Sequence, residues 1–136
     1  MQKNVSDGLP LPQRYGAIAT IVIGISMAVL DGAIANVALP TIAKDLNASP
    51  ASSIWIVNAY QIAIVISLLS LSFLGDMFGY RRVYQCGLVV FTLTSLFCAL
   101  SDSLHTLTLA RIAQGFGGAA LMSVNTALIR LIYPQR

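Results

Sequence analysis

The sequence has little charge. Only 10% of its 136 residues are Asp, Glu, Lys or Arg, and glutamate is absent altogether. A soluble domain carries about 25% charged residues, so the deficit excludes an ordinary water-soluble globular domain. Hydrophobic residues make up 57% of the chain, which indicates a protein whose surroundings are lipid.

Residues that build metal, cofactor and catalytic sites are also scarce. There is one histidine, His105, and there are two cysteines, Cys86 and Cys98. The cysteines lie more than three helical turns apart in one apolar run, too far for a disulfide, so we expect free, buried thiols. With no paired metal ligands and no nucleophile beside a base, we expect neither an enzyme nor a cofactor or metal. The net charge of +3 is not clustered, and we expect no nucleic-acid partner.

Long apolar runs are what the sequence has in abundance. About 20 apolar residues are needed to cross ~30 Å of hydrocarbon at ~1.5 Å per residue. Four runs approach or exceed this length, at about residues 15–39, 53–74, 83–100 and 104–132. We expect the first to stop at Pro40 and residues 1–14 to form a polar cytosolic lead. The predicted fold class is all-α, a polytopic membrane protein with four transmembrane helices.

The basic residues predict the orientation of these helices. Only Lys44 falls on one side of the membrane, and Arg111 lies inside it. Six fall on the other side: Lys3, Arg14, Arg81, Arg82, Arg130 and Arg136. Because cytosolic loops carry the excess of Lys and Arg, we expect an inner (plasma) membrane protein with both ends of this chain in the cytosol.

The loop between the second and third runs concentrates charge. Asp76 lies where one helix ends, and Arg81 and Arg82 lie where the next begins. These placements oppose the ones that helix dipoles favour, so we expect partners elsewhere or among lipid headgroups. Gly79 suits the turn because glycine takes positive φ without a Cβ penalty.

Polar residues also occur at membrane depth. Asp31 lies in the first run on a stripe of small residues, which permits close helix packing. In the second run such residues line a cavity or bond to neighbouring helices; they are Asn58, Tyr60 and Gln61. In the fourth run, four residues share one helical face by 3,4,7 spacing: Arg111, Gln114, Gly118 and Asn125. Small residues suited to close packing lie there too: Gly115, Gly118 and Ala119.

The similar membrane depth and the opposite charges of Asp31 and Arg111 predict that the two side chains contact each other. Asp31 lies ~12 Å and Arg111 ~9 Å from the outer ends of their runs, at ~1.5 Å per residue. An unpaired charge in the bilayer centre costs at least ~2.5–3.5 kcal/mol, so each should seek the other, directly or through Gln114 or a water. Such a pair serves either as a structural staple or as a proton site.

Three segments match the pattern of a known family. Segment 30–40, with Leu-Asp at its start and Asn-Val-Ala-Leu-Pro at its end, resembles the first-span signature of the fourteen-span drug:proton antiporters of the major facilitator superfamily. Segment 109–120, in which Arg111 is followed three residues later by Gln-Gly, resembles that superfamily's motif B. Loop 72–82 resembles its motif A. The residues that match there are Asp76, Gly79, Arg81 and Arg82, whereas Ser72 and Met77 replace a Gly and a basic residue.

This resemblance implies the N-terminal four-span portion of a proton-coupled exporter of drugs or other amphipathic small molecules, working by alternating access. Its implied partners are membrane lipid, protons, the substrate and the remaining spans of a longer transporter. From their charge, depth and shared face we expect proton coupling at Asp31, Arg111, Gln114 and Asn125. The resemblance implies a cytosolic gate at Asp76, Gly79, Arg81 and Arg82. Two alternatives stay open: a complete four-span transporter that works as a dimer, similar to the small multidrug resistance proteins, and a non-transporting membrane remnant.

Overall fold

Four α-helices make up the described part of the chain. The computed structural model describes residues 9–133, and its helices span Leu11–Asp45 (α1), Pro50–Phe78 (α2), Tyr80–Ala99 (α3) and Leu104–Ile132 (α4). All four are long and apolar enough to cross a membrane, and residues 9–133 contain no strand. The predicted fold class is therefore confirmed. Lys3, Arg136 and the first eight residues of the predicted lead lie outside the described residues.

The first helix is longer than the sequence predicted, at both ends. Residues 11–14, expected to belong to the lead, form its first turn, because a proline is tolerated where backbone N–H groups have no helical partner. The prediction that α1 stops at Pro40 is wrong, since the helix continues to Asp45. Pro40 removes one backbone donor, and a helix in lipid tolerates such a loss when its surroundings satisfy the freed carbonyl. The helix ends where Asn47 takes a left-handed φ of 50°, with Ala48 N–H bonded back to the Ala43 carbonyl at 2.8 Å.

The connections between the other helices are short and well capped. Ser49 caps α2 by accepting from the Ser52 N–H at 3.1 Å, so this helix begins three residues before the predicted span. Ser103 caps α4 in the same way through Thr106 N–H, as serine commonly does at this position. Gly79 alone separates α2 from α3, with a φ of +98° that favours glycine.

Helix α4 lies between α2 and α3 and packs closely on both. Its small residues face in two directions. A Cβ added at Gly115 would lie 2.7 Å from Ala63 Cβ on α2, and one added at Gly117 would lie 2.7 Å from the Phe91 nitrogen on α3. Ala119 is fully buried. These residues let the backbones approach, which is how helices associate in lipid.

Helix α1 packs on the bundle through its stripe of small residues. A Cβ added at Gly24 would overlap the Tyr84 hydroxyl of α3, and that hydroxyl donates to the Thr20 carbonyl at 3.0 Å. The opposite face of α1 is apolar and exposed, with Val37 81% exposed. On α2, Leu69 is 82% exposed. Exposed apolar surface of this extent suits lipid rather than water.

Both cysteines are free thiols, as the sequence predicted, but only one is shielded. Cys98 is partly buried, whereas Cys86 is exposed. The expectation that Cys86 is buried is wrong because it lines an open groove between α2, α3 and α4. The packed face of α3 is formed by Tyr84, Gly87, Phe91 and Thr94.

Candidate functional site

A cluster of polar side chains lies between the four helices, and each helix contributes to it. We call it the polar cluster. It contains Asp31 from α1, Tyr60 from α2, Ser95 and Cys98 from α3, and Arg111 and Gln114 from α4. Arg111 and Gln114 are three residues apart and so share one face of their helix.

The charged pair of the cluster is Asp31 and Arg111. Arg111 Nη1 lies 2.6 Å from Asp31 Oδ2, and within residues 9–133 this is the one salt bridge. The predicted pairing of these two residues is therefore present. The side chains are unequally shielded, with 5% of Arg111 exposed and 22% of Asp31.

The two charges meet through a single guanidinium nitrogen. Arg111 Nη1 donates both to Asp31 Oδ2 and to Gln114 Oε1, each at 2.6 Å. Arg111 Nε is buried and has no hydrogen-bond partner among the described residues. A bidentate arginine–carboxylate fork would be geometrically stricter, so this pair separates with the loss of one contact rather than two.

Gln114 uses its whole amide within the cluster. It is fully buried. Its Nε2 donates to Asp31 Oδ1 at 2.9 Å and to Ser95 Oγ at 2.8 Å. Its Oε1 accepts from Arg111 Nη1 and, at 3.6 Å, from the Cys98 thiol. Gln114 thus connects the charged pair on α1 and α4 to α3.

Tyr60 covers the arginine. Arg111 Cζ lies 4.2 Å from the centre of the Tyr60 ring, and Tyr60 is 6% exposed. A guanidinium over an aromatic face is stabilised by about 2 kcal/mol where both are desolvated. Gly118 makes room for the tyrosine, because a Cβ there would lie 3.1 Å from its hydroxyl oxygen.

Other residues that the sequence singled out lie away from the cluster. Asn58 and Gln61 are exposed. Asn125 lies on the same helix as Arg111 but 14 positions further along, which is about 21 Å at ~1.5 Å per residue. Its Oδ1 is buried and has no hydrogen-bond partner among the described residues. The structure therefore does not bring Asn125 to the charged pair, despite their common helical face.

The charged loop has a compact structure of its own. Asp76 accepts a hydrogen bond from the Tyr80 hydroxyl, one turn further along the chain. Arg81 and Arg82 are exposed, and neither pairs with a carboxylate within residues 9–133. Gly75 is buried against α4, where a Cβ would lie 2.8 Å from Val124 Cγ1.

Two grooves open near this loop, at the opposite end of the bundle from Ser103. One, of about 440 Å³, is apolar and runs between α2, α3 and α4, with Arg82 at its edge. The other, of about 660 Å³, lies between α1, α3 and α4, with Arg81 at its edge. Neither is lined by residues of the polar cluster.

The sequence did not reveal the contributions of α3. Nothing in it assigned a role to Ser95, and Cys98 was expected only to be a free thiol. Serine in a helix usually bonds to the carbonyl of the preceding turn, so its presence alone does not indicate a partner on another helix. The available signal was spacing, since Ser95 and Cys98 are three residues apart and share a face of an otherwise apolar helix.

Comparison with known proteins identifies the family. The family model described as the Major Facilitator Superfamily matches residues 21–136. The chain is 87% identical over its full length to the uncharacterized transporter YebQ of Escherichia coli strain K12, of which it spans 30%. It is 35% identical over 91% of its length to the riboflavin transporter RibZ of Clostridioides difficile strain 630, of which it spans 27%.

A third relative is the putative multidrug resistance protein MdtD of Salmonella paratyphi B. It is 39% identical over 85% of this chain, which spans 24% of that protein. The chain therefore covers about a third or less of the curated relatives it matches. All three carry names of transporters or resistance proteins rather than of enzymes. The chain belongs to the Major Facilitator Superfamily of membrane transporters.

Proposed function

We propose that this chain is part of a proton-coupled exporter of amphipathic small molecules, and that Asp31 carries the proton. The observation that supports this most is the buried contact among Asp31, Arg111 and Gln114. An acidic group beside a cation, both shielded from water, has two protonation states whose balance depends on their separation. A transporter needs such a group to couple proton movement to a change of conformation.

The polar cluster can accommodate both protonation states of Asp31. With Asp31 ionised, its two carboxylate oxygens are occupied by Arg111 and Gln114. With Asp31 protonated, Arg111 loses its counter-ion but keeps Gln114 Oε1 and the Tyr60 ring. A buried charge without partners would be costly, so Tyr60 and Gln114 are what make the neutral state of Asp31 accessible.

The position of the pair suits alternating access. Asp31 is 22% exposed and Arg111 5%, so the carboxyl is the partner that a proton can reach. Asp31 is carried by α1, which packs less extensively on the bundle than α2 or α3 packs on α4. A shift of α1 relative to α4 would part the charges by breaking the single Arg111 contact and the Gln114 hydrogen bond to Asp31, and Asp31 would then take up a proton. Its return would release that proton.

The charged loop is proposed as a cytosolic gate. By its resemblance to motif A, Asp76 contacts a helix end in the remaining spans when the cytosolic side is closed. The Tyr80 hydroxyl orients the carboxylate, and Gly79 and Gly75 permit the tight turn and its close approach to α4. The six-to-one excess of basic residues supports a plasma-membrane location with both ends of this chain in the cytosol.

The relatives support a class of substrate and no single compound. One is named as a putative multidrug resistance protein and one as a riboflavin transporter. A flavin is an aromatic, amphipathic molecule. We therefore propose amphipathic small molecules as the substrate class, and we propose outward transport from the resemblance to the drug:proton antiporters.

The test uses a full-length transporter in which this chain replaces the matching segment of the E. coli relative, called the chimera below. Asp31→Asn should abolish the proton-driven accumulation of substrate in everted membrane vesicles, where export is directed into the vesicle. Substrate binding should remain intact. Asp102→Asn, the same substitution at an exposed position in the α3–α4 turn, is the matched control and should leave efflux unchanged. If the Asp31→Asn chimera pumps against a gradient with the parent's pH dependence, Asp31 is a structural staple and not the proton site.

A further inference from the structure

We infer that α3 favours the ionised form of Asp31 by fixing the orientation of the Gln114 amide, with Ser95 and Cys98 as the positioning residues. These two side chains hold the amide in the orientation that stabilises ionised Asp31. The inference rests on the proposed function, because it concerns the proton balance of Asp31. It adds a role for a helix that carries no charge between Val83 and Leu100.

The Ser95 hydroxyl can only accept from Gln114. Its proton is committed to the Phe91 carbonyl, to which Ser95 Oγ donates at 2.7 Å. A hydroxyl has one donor proton and two acceptor lone pairs, so what it presents to α4 is a lone pair. Gln114 Nε2 lies 2.8 Å from that oxygen. Ser95 therefore stabilises the orientation in which the amide nitrogen of Gln114 faces the Ser95 hydroxyl.

Cys98 selects the opposite side. Its thiol donates to Gln114 Oε1 at 3.6 Å. The thiol is a weak donor, so this bond contributes less than the one to Ser95. Exchanging the amide oxygen and nitrogen would set Oε1 against the Ser95 lone pair and the Asp31 carboxylate, and Nε2 against two donors, Arg111 and Cys98. All four contacts of Gln114 thus agree on one orientation.

Protonation of Asp31 changes only part of this arrangement. A neutral carboxyl carries an O–H that is best served by an acceptor, which Gln114 would supply in the exchanged orientation. The α3 partners are unaltered by that proton and oppose the exchange. The charged or titratable groups that face Asp31 are Arg111 from α4, Tyr60 from α2 and Cys98 from α3. Among the partners of Gln114, Ser95 is the one that carries no charge in any state.

The competing explanation is that Ser95 only bonds to its own helix, as serines in helices commonly do. Thr92 provides the comparison. It lies on α3, is exposed, and bonds to the Leu88 carbonyl at 2.8 Å, the same type of contact that Ser95 makes with Phe91. Thr92→Val removes that contact without touching Gln114, whereas Ser95→Ala removes both.

The experiment is an infrared pH titration of the purified chimera in lipid. The band to follow is the protonated carboxyl stretch that Asp31→Asn removes. In Ser95→Ala the pH at which this band is half lost should rise by about 0.5 to 1 unit, the effect expected of one hydrogen bond that no longer favours the ionised form. Cys98→Ala should shift it in the same direction by less, and Ser95→Thr, which keeps the hydroxyl, should restore the parent midpoint.

The outcomes separate this inference from the proposed function. If Asp31→Asn removes no titrating band, the proposed function fails. If the band is present but its midpoint is the same in Ser95→Ala and the parent, the inference is overturned and the proposed function stands. An equal shift in Thr92→Val and Ser95→Ala would also overturn it, because a general loosening of α3 would then explain both. Should Ser95→Ala not fold, Cys98→Ala carries the same test.

Discussion

Neutralising Asp31 and Arg111 one at a time should show that the two residues contribute unequally to the free energy of unfolding. Arg111→Gln leaves the Asp31 carboxyl without its cation. Removing one partner of a fully buried pair costs about 3–5 kcal/mol. Asp31 is 22% exposed and keeps its bond from Gln114, so we expect a loss of about 2–3 kcal/mol in the free energy of unfolding.

Asp31→Asn should lower the free energy of unfolding by less than Arg111→Gln does. The amide oxygen of an asparagine can still accept from Arg111 or Gln114. The guanidinium also keeps the Tyr60 ring at 4.2 Å, and such a contact contributes up to about 2 kcal/mol when desolvated. We therefore expect a loss of about 1–2 kcal/mol, the size of one weakened charge-assisted hydrogen bond.

The double variant Asp31→Asn/Arg111→Gln removes both charges and should recover most of the loss. We expect it to lie within about 1 kcal/mol of the parent, well below the sum of the single changes. The measurement is unfolding of the chimera in mixed micelles by SDS titration, combined with efflux assays on the same variants. Additive losses would refute the energetic coupling, and a double variant that still pumped protons would refute the proton role of Asp31.

Three further predictions follow from other parts of the molecule. Gly117→Ala should destabilise the chimera by about 1–3 kcal/mol, the usual cost of overpacking, because the new Cβ would lie 2.7 Å from the Phe91 nitrogen; Gly16→Ala, with nothing within 4 Å, should be nearly neutral in the same unfolding assay. Asp76→Asn should impair efflux while membrane abundance, measured by immunoblot, stays near the parent's; unchanged efflux would reduce the loop to an orientation signal. Reporters fused after Asp102 and after the last residue should be active on opposite sides of the membrane, periplasmic and cytosolic respectively, and activity on the same side would contradict the topology.

The pairing of Asp31 with Arg111 was predictable from the sequence because few alternatives exist in lipid. Two opposite charges at similar depth, on faces made of small residues, have no water in the bilayer core to solvate them, so they pair with each other. The general fold was predictable for a related reason, since apolar length alone specifies a membrane-spanning helix. The end of α1 was not predictable from Pro40, because the rule that proline stops a helix is weaker in lipid.

The α3 contacts were beyond the sequence for a different reason. Ser95 satisfies its own hydroxyl within its helix, so no unmet hydrogen bond indicates that it also faces Gln114. Asn125 shows the opposite error. It shares a helical face with Arg111, but a face extends along the whole helix, and about 21 Å separates the two positions at ~1.5 Å per residue. Periodicity gives direction around a helix, whereas contact also requires the register of its neighbours.

Proton release on substrate binding tests the central claim most directly. The purified chimera, held in weakly buffered detergent solution with a pH indicator, is mixed with a saturating amphipathic drug. If Asp31 carries the coupled proton, drug binding should release up to one proton per transporter in the parent and none in Asp31→Asn, with the drug still bound in both. Equal release by the parent and by Asp31→Asn would contradict the account.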